Sequence, residues 1–120
     1  MKALIETANR RTERVFLVGL DLKSRSTWDL QDSLAELSEL AITAGAEVVG
    51  DGTQRLEAPL ASTFIGRGKA DEFAHYCRGQ DVDTVIFDDE LSPAQSRNLE
   101  KVFEKLVISE GITAREERER

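Results

Sequence analysis

The segment Gly66-Arg67-Gly68-Lys69 joins two glycines to two cations, a combination that binds phosphate when it opens a helix. Unpaired backbone N–H groups and the positive end of the helix dipole attract an anion there, and Lys69 adds a full charge. The same glycines also serve a plain turn into a helix. Both readings stand on the residues alone, because the rest of a phosphate-binding loop is missing: the glycines are not four residues apart, and no Ser or Thr follows the lysine. A second cluster, Asp88-Asp89-Glu90, together with Asp21 supplies carboxylates suited to a hard cation such as magnesium, which takes a few carboxylates and keeps several waters. The competing use of these acids is to complement the dipole of the helix that follows. With magnesium the two clusters can share a nucleotide; without it the acids oppose a bound phosphate.

Other reactive residues point to structure more than to chemistry. His75 has no second histidine and no nucleophile arrangement beside it, and reads as a surface or boundary residue. Cys77 falls on an apolar helix stripe and reads as an inert small hydrophobe. Trp28, in the first turn of a helix, is expected to pack as a boundary anchor rather than to stand free as a contact point. Arg10, Arg11 and Arg14 form either an RNA-facing patch or a solvated arm ahead of the first strand.

The elements that must position these residues follow from apolar periodicity. Arg14–Leu20 is a continuous apolar run, the pattern of a strand buried on both faces, and it ends at Asp21. Ser26 is placed as an N-cap, and Leu30, Leu34, Leu37 and Ala41 form one helical stripe that stops at Gly45. Ala46–Gly50 is expected as the second strand. Asp51–Ser62, polar and holding Pro59, is expected as a long loop leading to a short extended piece at Thr63–Ile65. A second helix starts near Gly66 and shows Ala70, Phe73, Ala74 and Cys77 at one-face spacing. Thr84–Phe87 is a third strand. Ser92-Pro93-Ala94-Gln95 is a capping box opening a third helix through Leu99, Val102 and Phe103. Lys105–Ile108 is read as a fourth strand, although Leu106 also continues the helix stripe. Alternating strands and helices define an α/β domain with a small four-stranded parallel sheet, half of a Rossmann-like fold, and right-handed crossovers favour the order 2-1-3-4. Asp21, Asp88, Asp89, Gly66–Lys69 and Ser92 then share the carboxyl rim of the sheet, where ligands of open α/β sheets bind.

Composition sets the outer bounds. The chain has 120 residues, 40% hydrophobic and 32% charged, enough for one globular domain with a core that needs no metal or disulfide. Its organisation is read as a basic N-terminal arm over 1–13, the α/β domain over 14–109 and a solvated charged tail over 110–120. One cysteine points to a reducing compartment, and no apolar stretch approaches the roughly 18 residues of a membrane span, so the expected location is cytoplasmic, away from any membrane. The net charge of −7 is uneven, with six basic against four acidic residues in the first thirty. An acidic chain repels phosphate backbones as a whole, which leaves room only for a local basic face.

Two segments carry a family resemblance. Thr63-Phe-Ile-Gly-Arg-Gly-Lys-Ala-Asp-Glu-Phe73 and Phe87-Asp-Asp-Glu-Leu-Ser-Pro-Ala-Gln-Ser-Arg-Asn-Leu-Glu100 closely resemble the signature segments of the N-terminal domain of HflX-type GTPases. Val18-Gly-Leu-Asp21, Ala44-Gly-Ala46 and Gln54-Arg55 support it at matching spacing, and the resemblance covers about residues 14 to 108. It implies an α/β domain that precedes a helical linker and a GTPase domain, in proteins that bind the large ribosomal subunit and help to split or rescue stalled ribosomes. It implies further that the domain faces ribosomal RNA, and in some members that it is connected with ATP-dependent activity. Gly66, Gly68 and Lys69 become the phosphate or RNA contact by this resemblance, with Arg67 and Arg55 as accompanying cations, and Asp88, Asp89 and Glu90 become the loop opposite. Ser109-Glu110-Gly111 departs from the Asp-Arg-Thr segment usual in the family. No Walker lysine followed by Ser or Thr, no Asp-x-x-Gly switch and no Asn-Lys-x-Asp guanine-reading motif occurs, so no GTP hydrolysis is expected from this chain alone. Three functions are therefore carried forward: an RNA- or ribosome-associated accessory domain, with a GTPase domain in cis or as a free-standing relative; a small nucleotide-binding unit with magnesium; and an interaction module that forms homodimers.

Overall fold

A continuous apolar run can be buried on both faces only in the middle of a sheet, and Arg14–Leu22 occupies that place as β1. In the computed structural model, which describes residues 12–109, β1 is followed by α1 (Thr27–Thr43), β2 (Glu47–Leu56), α2 (Arg67–Gly79), β3 (Thr84–Phe87), α3 (Pro93–Phe103) and β4 (Leu106–Ser109). All neighbouring strands are parallel and the order is β2-β1-β3-β4, as the crossover argument requires. Residues of the N-terminal arm up to 11 and the tail from 110 lie outside the described residues.

Successive side chains of a strand point to opposite faces, and β1 divides its apolar residues accordingly. Phe16, Val18 and Leu20 join the core beneath α2 and α3, while Val15 and Leu17 face α1 with Leu30, Leu34 and Ala41. Gly45, at φ 98, closes α1 in a left-handed conformation that a side chain would disfavour. On the other face Phe73 and Phe16 lie so close to Gly52 that a Cβ there would stand 2.6 Å from the Phe73 ring.

Four expectations need correction. The second strand does not stop at Gly50: Asp51–Leu56 pairs in register with Leu17–Leu22, so half of the supposed polar loop is edge strand. An edge strand tolerates polar residues because one flank is open, and its glycines admit Phe73. β1 correspondingly runs on to Leu22 instead of ending at Asp21. Thr63–Ile65 is a turn, with Phe64 at φ 66 and Leu60 and Phe64 exchanging backbone hydrogen bonds of 3.0 and 2.9 Å. Trp28 does not pack; it is 77% exposed. The ambiguous fourth strand is settled by Glu104, whose left-handed φ of 57 ends α3 and turns the chain into β4.

Candidate functional site

Because every strand is parallel, the carboxyl ends of β1 and β2, the loop after β3 and the starts of α1, α2 and α3 share one rim. Asp21 and Arg55 are register partners on adjacent strands. Arg55 Nη1 lies 3.2 Å from Asp21 Oδ2, and the Thr27 hydroxyl joins both, donating to Asp21 Oδ2 over 3.4 Å and accepting from Arg55 over 3.3 Å. Arg25 holds the rim from the other side: its Nη2 donates to the Leu20 carbonyl at 2.9 Å and lies 4.0 Å from Asp89 Oδ2. Asp88 is fixed through its backbone N–H, which donates to the Val18 carbonyl.

The glycine-rich segment does open α2, with Gly66 as N-cap and no side-chain cap on the helix. Gln54 takes up the Gly66 N–H, its Oε1 accepting at 2.7 Å. Arg67 pairs with Asp71 at 3.4 Å along the helix, and Lys69 pairs with Glu72 at 3.3 Å and lies over the Phe73 ring. The two cations of the motif therefore lean onto their own helix, on different neighbours.

The acidic set behaves differently from the expectation that Asp21, Asp88 and Asp89 hold a cation together. Among the described residues no group of three or more His, Cys, Asp or Glu side chains is placed to bind a metal. Asp21 faces a guanidinium and so does Asp89, which makes this donor set a poor fit for magnesium. Glu90 is exposed in the turn that leads to α3. The capping box is formed as expected: the Ser92 hydroxyl accepts from the Gln95 N–H at 3.1 Å, and Gln95 Oε1 accepts from the Ser92 N–H at 2.8 Å.

Sequence reasoning missed the residues that meet between the loop after β2 and α3. Gln95 Nε2 donates to the Leu60 carbonyl at 2.8 Å, and Asn98 Nδ2 donates to the Ser62 carbonyl at 2.9 Å. Their signal was faint: Asn98 and Lys101 are three apart on the side of α3 away from Leu99 and Phe103, a spacing shared with any solvated helix face. Arg14, grouped earlier with Arg10 and Arg11, lies at the opposite rim, where it bonds the Gln80 carbonyl and Glu47; Arg10 and Arg11 are outside the described residues.

A parallel sheet with α1 on one face and α2 and α3 on the other defines a small α/β domain of the doubly wound type, and the comparisons give its kind. Residues 31–110 match the family described as GTP-binding GTPase N-terminal, and the chain belongs to that family, the N-terminal domain of HflX-type proteins. It is 36% identical over 105 residues to the GTPase HflX of Flavobacterium psychrophilum, covering 88% of this chain and 25% of that protein. It is 43% identical over 90 residues to the GTPase HflX of Alkalihalophilus pseudofirmus, covering 75% and 21%, and 41% identical over 80 residues to that of Escherichia coli, covering 67% and 18%. The chain thus spans about a quarter or less of the length of these relatives. Its fold is similar to the crystal structure of a mutation variant of SsGBP, with a TM-score of 0.61 at 15% identity, covering 86% of this chain and 30% of that one. Among the described residues no helix is long and apolar enough to cross a membrane.

Proposed function

We propose that this chain acts as the RNA-facing accessory domain of an HflX-type GTP-binding protein in the cytoplasm, docking on the large ribosomal subunit. Binding, not nucleotide hydrolysis, is its contribution. The observation that supports this reading most is the family match itself: residues 31–110 take in nearly all of α1 and every later element, in a sequence with no guanine-reading or switch motif. The GTP chemistry in the names of the relatives belongs, on this proposal, to a further domain in cis. On this proposal Arg67, Lys69 and Arg55 exchange their pairs with Asp71, Glu72 and Asp21 for phosphate beside Gly66 and Gly68, and the net charge of −7 confines the contact to that local face. The test is co-sedimentation of the purified chain with isolated large and small ribosomal subunits through sucrose gradients. It is expected to migrate with the large subunit and to be released as salt rises. A chain that stays at the top of the gradient at low salt refutes the proposal.

A further inference from the structure

The starts of α2 and the outer side of α3 enclose a groove of about 290 Å³, lined by Ser62, Thr63, Arg67, Asn98, Lys101 and Val102. We propose that this groove, which takes Arg67 but not Lys69 from the glycine-rich segment, is a phosphate site. Its lining holds two cations, the Ser62 hydroxyl, the Asn98 amide and no carboxylate, in a chain whose acids outnumber its bases; the buried Thr63 donates its hydroxyl proton to the Ile65 carbonyl at 2.8 Å. Arg67 and Lys101 come from different helices, so the convergence of charge is a product of the tertiary fold. Lys101 has no ion pair among the described residues. Among the described residues Arg67 is paired only with Asp71, in an exposed i,i+4 pair that a phosphate can displace.

The walls of the groove are fixed. Hydrogen bonds from Gln95 and Asn98 tie the Leu60–Ser62 loop to α3, so the groove does not have to be assembled when a ligand arrives. Val102 is the one apolar side chain in the lining, and no ring is available to stack on a base. The site therefore recognises phosphate and sugar without reading sequence, chemistry that an RNA backbone or the phosphate of a free nucleotide would supply. For the RNA source, the inference rests on the reading above.

An amide-resolved NMR titration of the full chain decides it, first with inorganic phosphate, then with ribose 5-phosphate and with a short oligoribonucleotide at matched ionic strength. Phosphate is expected to shift the amides of Thr63, Arg67, Asn98 and Lys101. Lys101→Glu should weaken phosphate binding roughly fivefold or more, as for loss of a partly exposed charge contact followed by its reversal. Lys101→Ala should lower the salt slope of oligonucleotide binding by about one. Arg78→Ala, in the last turn of α2, removes the same charge at the far end of that helix and should change neither titration. Shifts that are absent, lie elsewhere or survive Lys101→Glu overturn the groove. Phosphate bound in the groove with no binding of the oligonucleotide or of ribosomal subunits upholds it and refutes the RNA reading. RNA binding that ignores Lys101 does the reverse.

Discussion

Asp21 and Arg55 stand thirty-four residues apart in the sequence and meet because parallel pairing places them side by side at the ends of β1 and β2. Charges that look available to a ligand in the sequence are thereby turned on one another, with Thr27 completing the contact. Cys77 shows the opposite case, a reactive atom removed from reaction by packing. Burial pushes its thiol from 9.0 up to about 11, against a partial counter-effect from the Lys105 and Arg78 cations. The thiolate is the nucleophile, so the folded chain should resist iodoacetamide at about pH 8 and react only once unfolded in denaturant. For an acid whose folded pKa is raised, the stabilisation is fully present below the unfolded value and is lost as pH climbs from 9.0 through about 11. Denaturant unfolding across that interval should therefore fall less steeply in Cys77→Ala than in the parent chain. Equal slopes would show that the thiol titrates alike in the folded and unfolded states.

Among the elements, the helices were legible because their determinants are local. Ser26 and Ser92 both accept from the first turn of the helix they start, and the stripes Leu30-Leu34-Ala41 and Ala70-Phe73-Ala74-Cys77 are the residues buried. The second half of β2 was not legible. Asp51-Gly52-Thr53-Gln54-Arg55 has the composition of a loop, and only pairing with β1 makes it a strand. The rim was legible as an arrangement of strand ends, whereas the groove was not, since Ser62 and Asn98 are brought together from thirty-six residues apart. Gln95 gives an element-level test, because it both completes the cap of α3 and anchors the preceding loop. Ser92→Ala should cost about 1 kcal/mol through the lost cap. Gln95→Ala should cost more, about 2 kcal/mol, by losing two hydrogen bonds. Chemical denaturation of the two variants measures the difference, and equal losses would mean that the bond to Leu60 contributes nothing.

Taken as a whole, the molecule is built unequally about its sheet. Among the described residues sixteen buried ones form the core under α2 and α3, against five on the side of α1, and α1 itself contributes only Leu30, Leu34 and Ala41 to those five. Its far side carries Trp28, Leu40 and Ile42 in solvent. The long helix is thus held by a narrow apolar contact, while the two shorter ones share the larger core with both signature segments. Cooperative units of a fold open in order of the contacts that retain them. In native-state hydrogen exchange, the amides of α1 should open with a free energy about 2 kcal/mol or more below that of α2, α3 and the central strands. Matched protection in all three helices would mean that the narrow contact suffices. With the expected order, transient detachment of α1 uncovers Val15, Leu17, Val48 and Ile86 on one sheet face and withdraws Thr27 from its contact with Asp21 and Arg55, while the groove between α2 and α3 on the opposite face stays assembled, so the domain can breathe on one side without disturbing the other.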